Sequence, residues 1–298
     1  MTRHFRTLED ISSAQLDQLL SRAEVLAQDR TGHPTLAGKS VAVVFEKAST
    51  RTRISFEVGI HELGALPVTL MARDTQMGRG EPLSDTARML SGYVNGVVYR
   101  TFGHDRVEAL CAAATIPVIN GLSDSHHPCQ LLADMLTIRQ VKGRLKGLSV
   151  AWIGDGNNMA HSWILSAARG EFSLRLACPE GYMPDPAVVE RGRSLGADIS
   201  LTTDPREAAE NADVITTDVW ASMGQEDEAK AREEAFASFQ VTPSLMNSGQ
   251  DAIFLHCLPA HRGEEVAGEV IDGPWSQVWR EAENRLHAQK ALLEMLLR

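Results

Sequence analysis

Val41-Ala42-Val43-Val44-Phe45 leads, three residues on, into Ser49-Thr50-Arg51-Thr52-Arg53. The first run is apolar throughout, with no polar alternation, which is the pattern of a strand buried on both faces. A helical pattern follows from Arg53 to Leu63, with Gly64 placed as its C-cap. A fully covered strand that feeds straight into a helix is the repeating unit of a parallel α/β sheet. The same alternation extends outward. Upstream, residues 12–27 carry Leu16, Leu19, Leu20, Ala23 and Leu26 at helical spacing, opened by Ser12 and Gln15 as a capping box. Downstream, strand patterns recur at 66–71, 96–99 and 116–119 with helical stretches between them.

A second series begins at 148–153 and continues through strand patterns at 173–177, 199–202, 214–217 and 252–256. Between the two series lies Val141-Lys142-Gly143-Arg144-Leu145-Lys146-Gly147, basic and interrupted by glycine, read as a helix exit and linker. A long helical pattern, 275–297, ends the chain. The expected architecture is two doubly wound parallel-sheet domains facing a cleft, plus that terminal helix. Open sheets of this kind hold ligands beyond the carboxyl ends of their strands.

A length of 298 residues fits two domains. With 29 Lys and Arg against 39 Asp and Glu, the net charge is −10, which argues against nucleic-acid partners and polybasic membrane anchors. No run of about 18 apolar residues is present, so no membrane span is expected. Residues 1–10 are polar and charged, so no secretory signal is expected. Cys111, Cys129, Cys178 and Cys257 are scattered without a CxxC pair, which fits reduced thiols in a cytoplasmic setting.

The motifs that carry chemistry fall at strand ends. Ser49 to Arg53 puts three hydroxyls and two guanidiniums at a helix start, where free backbone N–H groups already favour an anion. The plain alternative is a capped helix with a solvated basic turn. His126-His127-Pro128-Cys129-Gln130 places His127 at another helix start, with Pro128 suited to the first turn. Taken alone, it reads more readily as a buried structural histidine. Gly154-Asp155-Gly156-Asn157-Asn158 is too incomplete for a dinucleotide fingerprint, and its amides suit a zwitterion better.

Thr217-Asp218-Val219-Trp220 sets a carboxylate just past a strand, and Ser222-Met223-Gly224 reads as a loop. The charged run 225–234 reads as a solvated helix face. His256-Cys257-Leu258-Pro259-Ala260-His261 matches no closed zinc spacing, so no metal is expected, and Cys257 reads equally as an inert core thiol. Arg285, in the terminal helix, reads locally as surface decoration paired with Glu281.

In this order, the motifs resemble those of the aspartate/ornithine carbamoyltransferase family. Ser-Thr-Arg-Thr-Arg and His-Pro-Cys-Gln are similar to its carbamoyl-phosphate half. Thr-Asp-Val-Trp, Ser-Met-Gly and His-Cys-Leu-Pro are similar to its ornithine branch. The resemblance spans nearly the whole chain. It implies a carbamoyl-phosphate domain over 1–142, completed by the terminal helix over 278–298, and an ornithine domain over 143–277. It also implies a cytoplasmic homotrimer with active sites between subunits and no cofactor.

By the same resemblance, Ser49, Thr50, Arg51, Thr52 and Arg100 hold the phosphoryl group, and Gln76 reaches across from a neighbouring subunit. His127, Gln130 and Arg285 hold the carbamoyl group, with Arg100 near its carbonyl oxygen. Asn158, Asp218, Ser222 and Met223 bind the amino-acid end of ornithine. Cys257 and the Leu258 backbone lie by the reacting amine and the carbamoyl nitrogen, so Arg100, His127, Cys257 and Arg285 are the catalytic set. The implied reaction transfers a carbamoyl group to the δ-amine of L-ornithine, giving L-citrulline and phosphate, in arginine biosynthesis. N-Acetylornithine, putrescine and aspartate are rival acceptors, and Asp218 beside Ser-Met-Gly favours a free α-amino acid. Cys129 stands where many relatives have threonine, and His161 where many have asparagine.

Overall fold

A computed structural model describes residues 3–221 and 229–298. The chain divides into two compact units, one of Met1–Leu136 with Glu283–Arg298 and one of Thr137–Ala282. In the first unit, strands β1 (Ser40–Phe45), β2 (Leu66–Met71), β3 (Gly96–Arg100) and β4 (Val118–Leu122) form a sheet in the order β2-β1-β3-β4. All pairings are parallel, with Val41 beside Gly96 and Phe45 beside Arg100. Helices α1 (Ser13–Gln28), α2 (Thr50–Glu62), α3 (Leu83–Tyr93) and α4 (His104–Ala113) belong to this unit, and α5 (Pro128–Lys142) begins in it.

Every residue from Val41 to Phe45 is buried, so β1 is covered on both faces, as its unbroken apolar pattern requires. On one face Ala42, Val44, Val97 and Tyr99 pack with Ala87 and Leu90 of α3 and with Val107 and Leu110 of α4. The fourth strand begins two residues and ends three residues later than its apolar pattern suggests. Asn120, Gly121 and Leu122 complete it, and Asn120 N–H and Val118 C=O pair with Phe5 of the amino-terminal segment.

In the second unit, β5 (Ser149–Ile153), β6 (Ser173–Ala177), β7 (Asp198–Thr202), β8 (Val214–Thr217) and β9 (Ile253–His256) form a parallel sheet ordered β7-β6-β5-β8-β9. Helices α6 (Asn158–Gly170), α7 (Pro186–Ser194), α8 (Pro205–Ala209), α9 (Ala229–Phe236), α10 (Pro243–Met246) and α11 (Gly268–Ile271) accompany it. Ile153, Ile215 and Phe254 pack with Trp220, Phe236 and Phe239, so Trp220 is a core residue. Gly143 and Gly147 both have left-handed backbones (φ 76° and 73°) in the segment after α5, a conformation that suits glycine.

The terminal helix α12 (Val278–Leu297) contributes its residues from Glu283 onward to the first unit. Lys290, fully buried, pairs with Glu62 of α2 at 2.8 Å, and Glu294 pairs with Arg22 of α1 at 2.6 Å. The fold is therefore the expected pair of parallel α/β units, with the end of the chain packed on the first.

Candidate active site

Strand order locates the ligand-binding crevices before any side chain is considered. In the first sheet the chain order reverses between β1 and β3, and in the second between β5 and β8. The crevice at such a switch point is where open parallel sheets bind ligands. The loop after β1 leads through the cap Ser49 into Thr50 and Arg51 on the first turn of α2, and β3 ends on Arg100. The loop after β5 carries Gly154 to Asn157 and leads into Asn158 at the start of α6, and Asp218 follows β8 directly.

In the first unit, Ser49 caps α2, its Oγ accepting the Thr52 N–H at 3.3 Å. Thr50 and Arg51 are exposed on the first turn, and Thr52 is buried. Thr52 Oγ1 is a meeting point: it accepts from Arg285 Nη2 at 3.3 Å and from Arg100 Nη1 at 3.5 Å. Arg100 and Arg285 are themselves buried, and so is His127. Burial holds the His127 imidazole well below its ordinary pKa of 6.5, and the positive charges of Arg285, Arg100 and Arg51 add to the effect. The ring is therefore neutral at physiological pH and presents one N–H and one lone pair. Gln130 joins through its Oε1, which accepts from Arg285 Nη1 at 2.6 Å.

Arg285 is not surface decoration: it is 4% exposed and bonded to Gln130 and Thr52. Glu281, its expected partner, accepts the His256 N–H at 2.9 Å instead. Arg53, counted among the five donors at the start of α2, turns to the exposed side and pairs with Glu57 at 2.9 Å. Gln76 opens a short 3-10 turn (Gln76–Arg79) and is exposed. Cys129 is fully buried, its thiol pushed up to about 12 by burial with some relief from Arg285. Its S–H donates to the Asn120 carbonyl at 3.4 Å, as a threonine hydroxyl could.

In the second unit, Asp218 is buried and held from three sides. Its Oδ1 accepts from Val219 N at 2.8 Å and from the Cys257 thiol at 3.1 Å, and its Oδ2 accepts from Asn157 Nδ2 at 3.3 Å. Asn157 also caps α6, its Oδ1 accepting from Met159 N and Ala160 N. Asn158, the expected ligand, is the first helical residue and half-buried. His161 Nε2 accepts the Asp185 N–H at 3.1 Å, which ties the segment before α7 to α6. Ser222 and Met223 lie outside the described residues.

The loop after β9 has a built support that the sequence did not signal. Leu258 adopts a left-handed backbone (φ 59°) before a cis peptide bond to Pro259. Left-handed geometry costs a leucine about 1–2 kcal/mol. The Leu258 N–H donates to His256 Nδ1 at 2.9 Å, and His256 Nε2 faces Glu265 Oε1 at 3.1 Å. With Nδ1 accepting, the ring proton lies on Nε2, directed at the carboxylate. His256 and Glu265 are completely buried. Asp218, His256 and Cys257 bring potential metal-ligand atoms within 4.8 Å of one another. Both His256 nitrogens are engaged with protein partners, however, and the Cys257 thiol donates to Asp218.

Another pairing runs against the expected solvated face at 225–234. Arg232 of α9 is buried, bonded to Asp155 Oδ2 at 2.8 Å and to the Trp220 carbonyl at 2.9 Å. Its guanidinium also lies 5.0 Å from the centre of the Tyr182 ring. Burial raises the Asp155 pKa, Arg232 opposes this, and Asp218 reinforces it. The charge run carries no local sign that one of its arginines turns inward.

A helix start carrying Arg51, two buried guanidiniums and a neutral imidazole, all on one parallel α/β unit, is the equipment of an enzyme that transfers a group from an anionic donor. Comparison with known proteins gives that class a family. Residues 3–140 match the family model described as the aspartate/ornithine carbamoyltransferase carbamoyl-P binding domain. Residues 146–296 match the corresponding Asp/Orn binding domain. An ornithine carbamoyltransferase of Halorhodospira halophila is 55% identical over 300 residues, covering 99% of each chain. The structure is similar to that of ornithine carbamoyltransferase from Pyrococcus furiosus (TM-score 0.94, 46% identity, 99% of this chain and 97% of that one). It is equally similar to an anabolic ornithine carbamoyltransferase from Campylobacter jejuni (TM-score 0.94, 39% identity, 99% of each). The chain belongs to the aspartate/ornithine carbamoyltransferase family and is a carbamoyltransferase.

Proposed function

We propose that this enzyme transfers the carbamoyl group of carbamoyl phosphate to the δ-amine of L-ornithine, giving L-citrulline and phosphate, in the biosynthetic direction. The observation that carries the donor half is the convergence of Arg100 and Arg285 on Thr52, beside His127 and Arg51. Ser49, Thr50, Arg51, Thr52 and Arg100 bind the phosphoryl group, aided by the N–H groups at the start of α2. As the amine attacks, charge builds on the carbonyl oxygen, and His127, Arg100 and Thr52 donate to it. Each donor of this kind contributes about 2.7–4 kcal/mol. Neutral His127 donates without adding a fourth cation to the cluster.

On the acceptor side, Asp218 pairs with the α-ammonium of ornithine, with Asn158, Ser222 and Met223 completing the grip. Asp218 sits within 3.1 Å of the Cys257 sulfur, which supports one ligand touching both. Cys257 and the Leu258 carbonyl orient the attacking amine. The free amine titrates near 10, as lysine does, so it loses a proton before attack, and the departing phosphate takes it up. Replacement of an acyl-phosphate anhydride by a urea-type amide runs downhill, which fits the biosynthetic direction.

We further propose a homotrimer in which Gln76 reaches a neighbouring subunit's phosphate. Gln76 follows the edge strand β2, and the first unit exposes Leu66 (62%), Tyr93 (77%) and Ile54 (55%), apolar groups that an interface would cover. A cytoplasmic location fits the four free thiols. No described helix is long and apolar enough to cross a membrane.

The test is steady-state carbamoyl transfer to four amines: ornithine, N-acetylornithine, putrescine and aspartate. Ornithine should lead by orders of magnitude, and Asp218→Ala should remove most of that lead. Comparable turnover of another amine, or an Asp218→Ala variant with unchanged ornithine kinetics, would reject the acceptor assignment.

A further inference from the structure

The turn that follows Pro259 gathers three side chains that the proposed reaction leaves unused: His261, Glu264 and Glu265. Glu264 N–H donates to the His261 carbonyl at 3.0 Å, closing a four-residue turn. Its third residue, Gly263, is left-handed (φ 92°), which glycine adopts at no steric cost. Its second residue, Arg262, pairs with Asp272 at 2.7 Å and so points away from the other two side chains' charges. The turn brings its first and fourth side chains together, with His261 Nδ1 3.3 Å from Glu264 Oε2. Both side chains are exposed.

Glu265 meets this pair from the interior. It is completely buried, and its two oxygens differ. Oε1 accepts from the His261 N–H at 2.6 Å and faces His256 Nε2 at 3.1 Å. Oε2 is buried and has no hydrogen-bond partner among the described residues. It lies 4.0 Å from His261 Nδ1, beyond hydrogen-bond reach. A buried carboxylate oxygen without a donor is costly, so its presence calls for a partner. One ligand atom from each of His261, Glu264 and Glu265 can be chosen so that all lie within 4.8 Å of one another. Ligand atoms bound at about 2.0–2.2 Å to a zinc-like ion stand roughly 3–3.6 Å apart. The His261–Glu264 gap already matches, and the exposed His261 ring can close the other by a small rotation.

We propose that His261, Glu264 and Glu265 form a divalent transition-metal site, of the kind that takes Zn2+ or Co2+, completed by water. An imidazole with two carboxylates suits such an ion better than Mg2+ or Ca2+, which favour all-oxygen sets. The ion touches no reacting group. Its Glu265 ligand also holds His256, whose Nδ1 accepts the Leu258 N–H, so the ion braces the loop of Cys257 and Leu258 from behind.

The test titrates Co2+ into metal-stripped, full-length enzyme and follows its visible and near-ultraviolet absorption. The site should take one Co2+ per chain, with d–d bands and no thiolate-to-cobalt charge-transfer band, and Cys257→Ser should bind equally well. His261→Ala and Glu264→Gln change exposed side chains, so they should leave the metal-free melting temperature unchanged. Each should weaken Co2+ binding about tenfold or more, at least the worth of an outer-shell partner. Glu265→Gln keeps an amide oxygen for His256 and the His261 N–H, and should weaken binding by a similar factor. Mg2+ or Ca2+ in about hundredfold excess should not displace Co2+. Absence of stoichiometric binding, a charge-transfer band that vanishes in Cys257→Ser, or unchanged affinity in His261→Ala would overturn the site. Displacement by Mg2+ or Ca2+ would overturn its transition-metal character.

Discussion

Replacing His127 tests the electrostatics of the donor cluster most directly. The ring is 6% exposed, and the charges of Arg285, Arg100 and Arg51 all disfavour its protonation. Its pKa therefore lies well below 6.5, and across the working range the ring is neutral, able to donate from one nitrogen. Removing one preorganised donor to a developing oxyanion costs about 2.7–4 kcal/mol, so His127→Ala should lower kcat about 100- to 1,000-fold. KM for carbamoyl phosphate should move far less, because the proposed site gives the phosphate to the arginines. His127→Asn keeps an N–H and should recover part of the loss.

The pH profile separates a neutral donor from a protonated one. In kcat measured from pH 5.5 to 9 with both substrates saturating, His127 should contribute no acid limb near 6.5. Stability carries the same sign. Below the unfolded-state pKa near 6.5, the unfolded chain takes up a proton that the native site refuses. His127 therefore costs native stability as pH falls, by up to about 1.4 kcal/mol per pH unit. His127→Asn should lose that component of acid sensitivity in urea unfolding at pH 5.5 and 7.5. An acid limb near 6.5 in the wild type that disappears in His127→Asn would refute the neutral-donor reasoning. So would a His127→Ala variant with less than tenfold loss of kcat.

Arg51→Ala removes an exposed guanidinium from the start of α2, so it should leave the melting temperature unchanged and raise KM for carbamoyl phosphate about 100-fold or more; near-normal turnover at low carbamoyl phosphate would contradict the phosphate assignment. Arg232→Met strips a buried ion pair of one partner and should destabilise the protein by about 3–5 kcal/mol at pH 7.5. The Asp155 pKa is already raised and would rise further, so the deficit should shrink as pH falls through that raised pKa and the carboxylate takes up a proton. Adding Asp155→Leu should restore much of the stability in urea unfolding, whereas a double variant as unstable as the single would reject the uncompensated-charge account.

The parallel α/β layout was legible because every strand and helix left a local pattern. Val41 to Phe45 shows no alternation because both faces of β1 are covered. The strand-end placement of Ser49 to Thr52 at a capped helix start was legible for a similar reason, since a strand end, a cap and a helix start are consecutive in the chain. Strand β4 begins two residues later than expected and extends over Asn120 to Leu122, where pairing of Val118 and Asn120 with Phe5, over a hundred residues away, supports it.

The sequence by itself determined the architecture, the strand-end motifs and the family resemblance, since these depend on residue type and short-range spacing. Only the tertiary structure decided which charged residues turn inward. Arg53 and Arg285 each have a carboxylate four residues away in sequence, and the same spacing rule offers both a surface ion pair. Arg53 takes its pair with Glu57, while Arg285 is buried against Gln130 and Thr52, from elements more than 150 residues earlier. Arg232 likewise leaves a charged run to meet Asp155. A buried charge is stable only where opposite charges and hydrogen-bond partners have been brought to it, and those partners are distant in sequence. Periodicity reports which face of a helix is apolar; it holds no information about which polar group from another segment waits on that face.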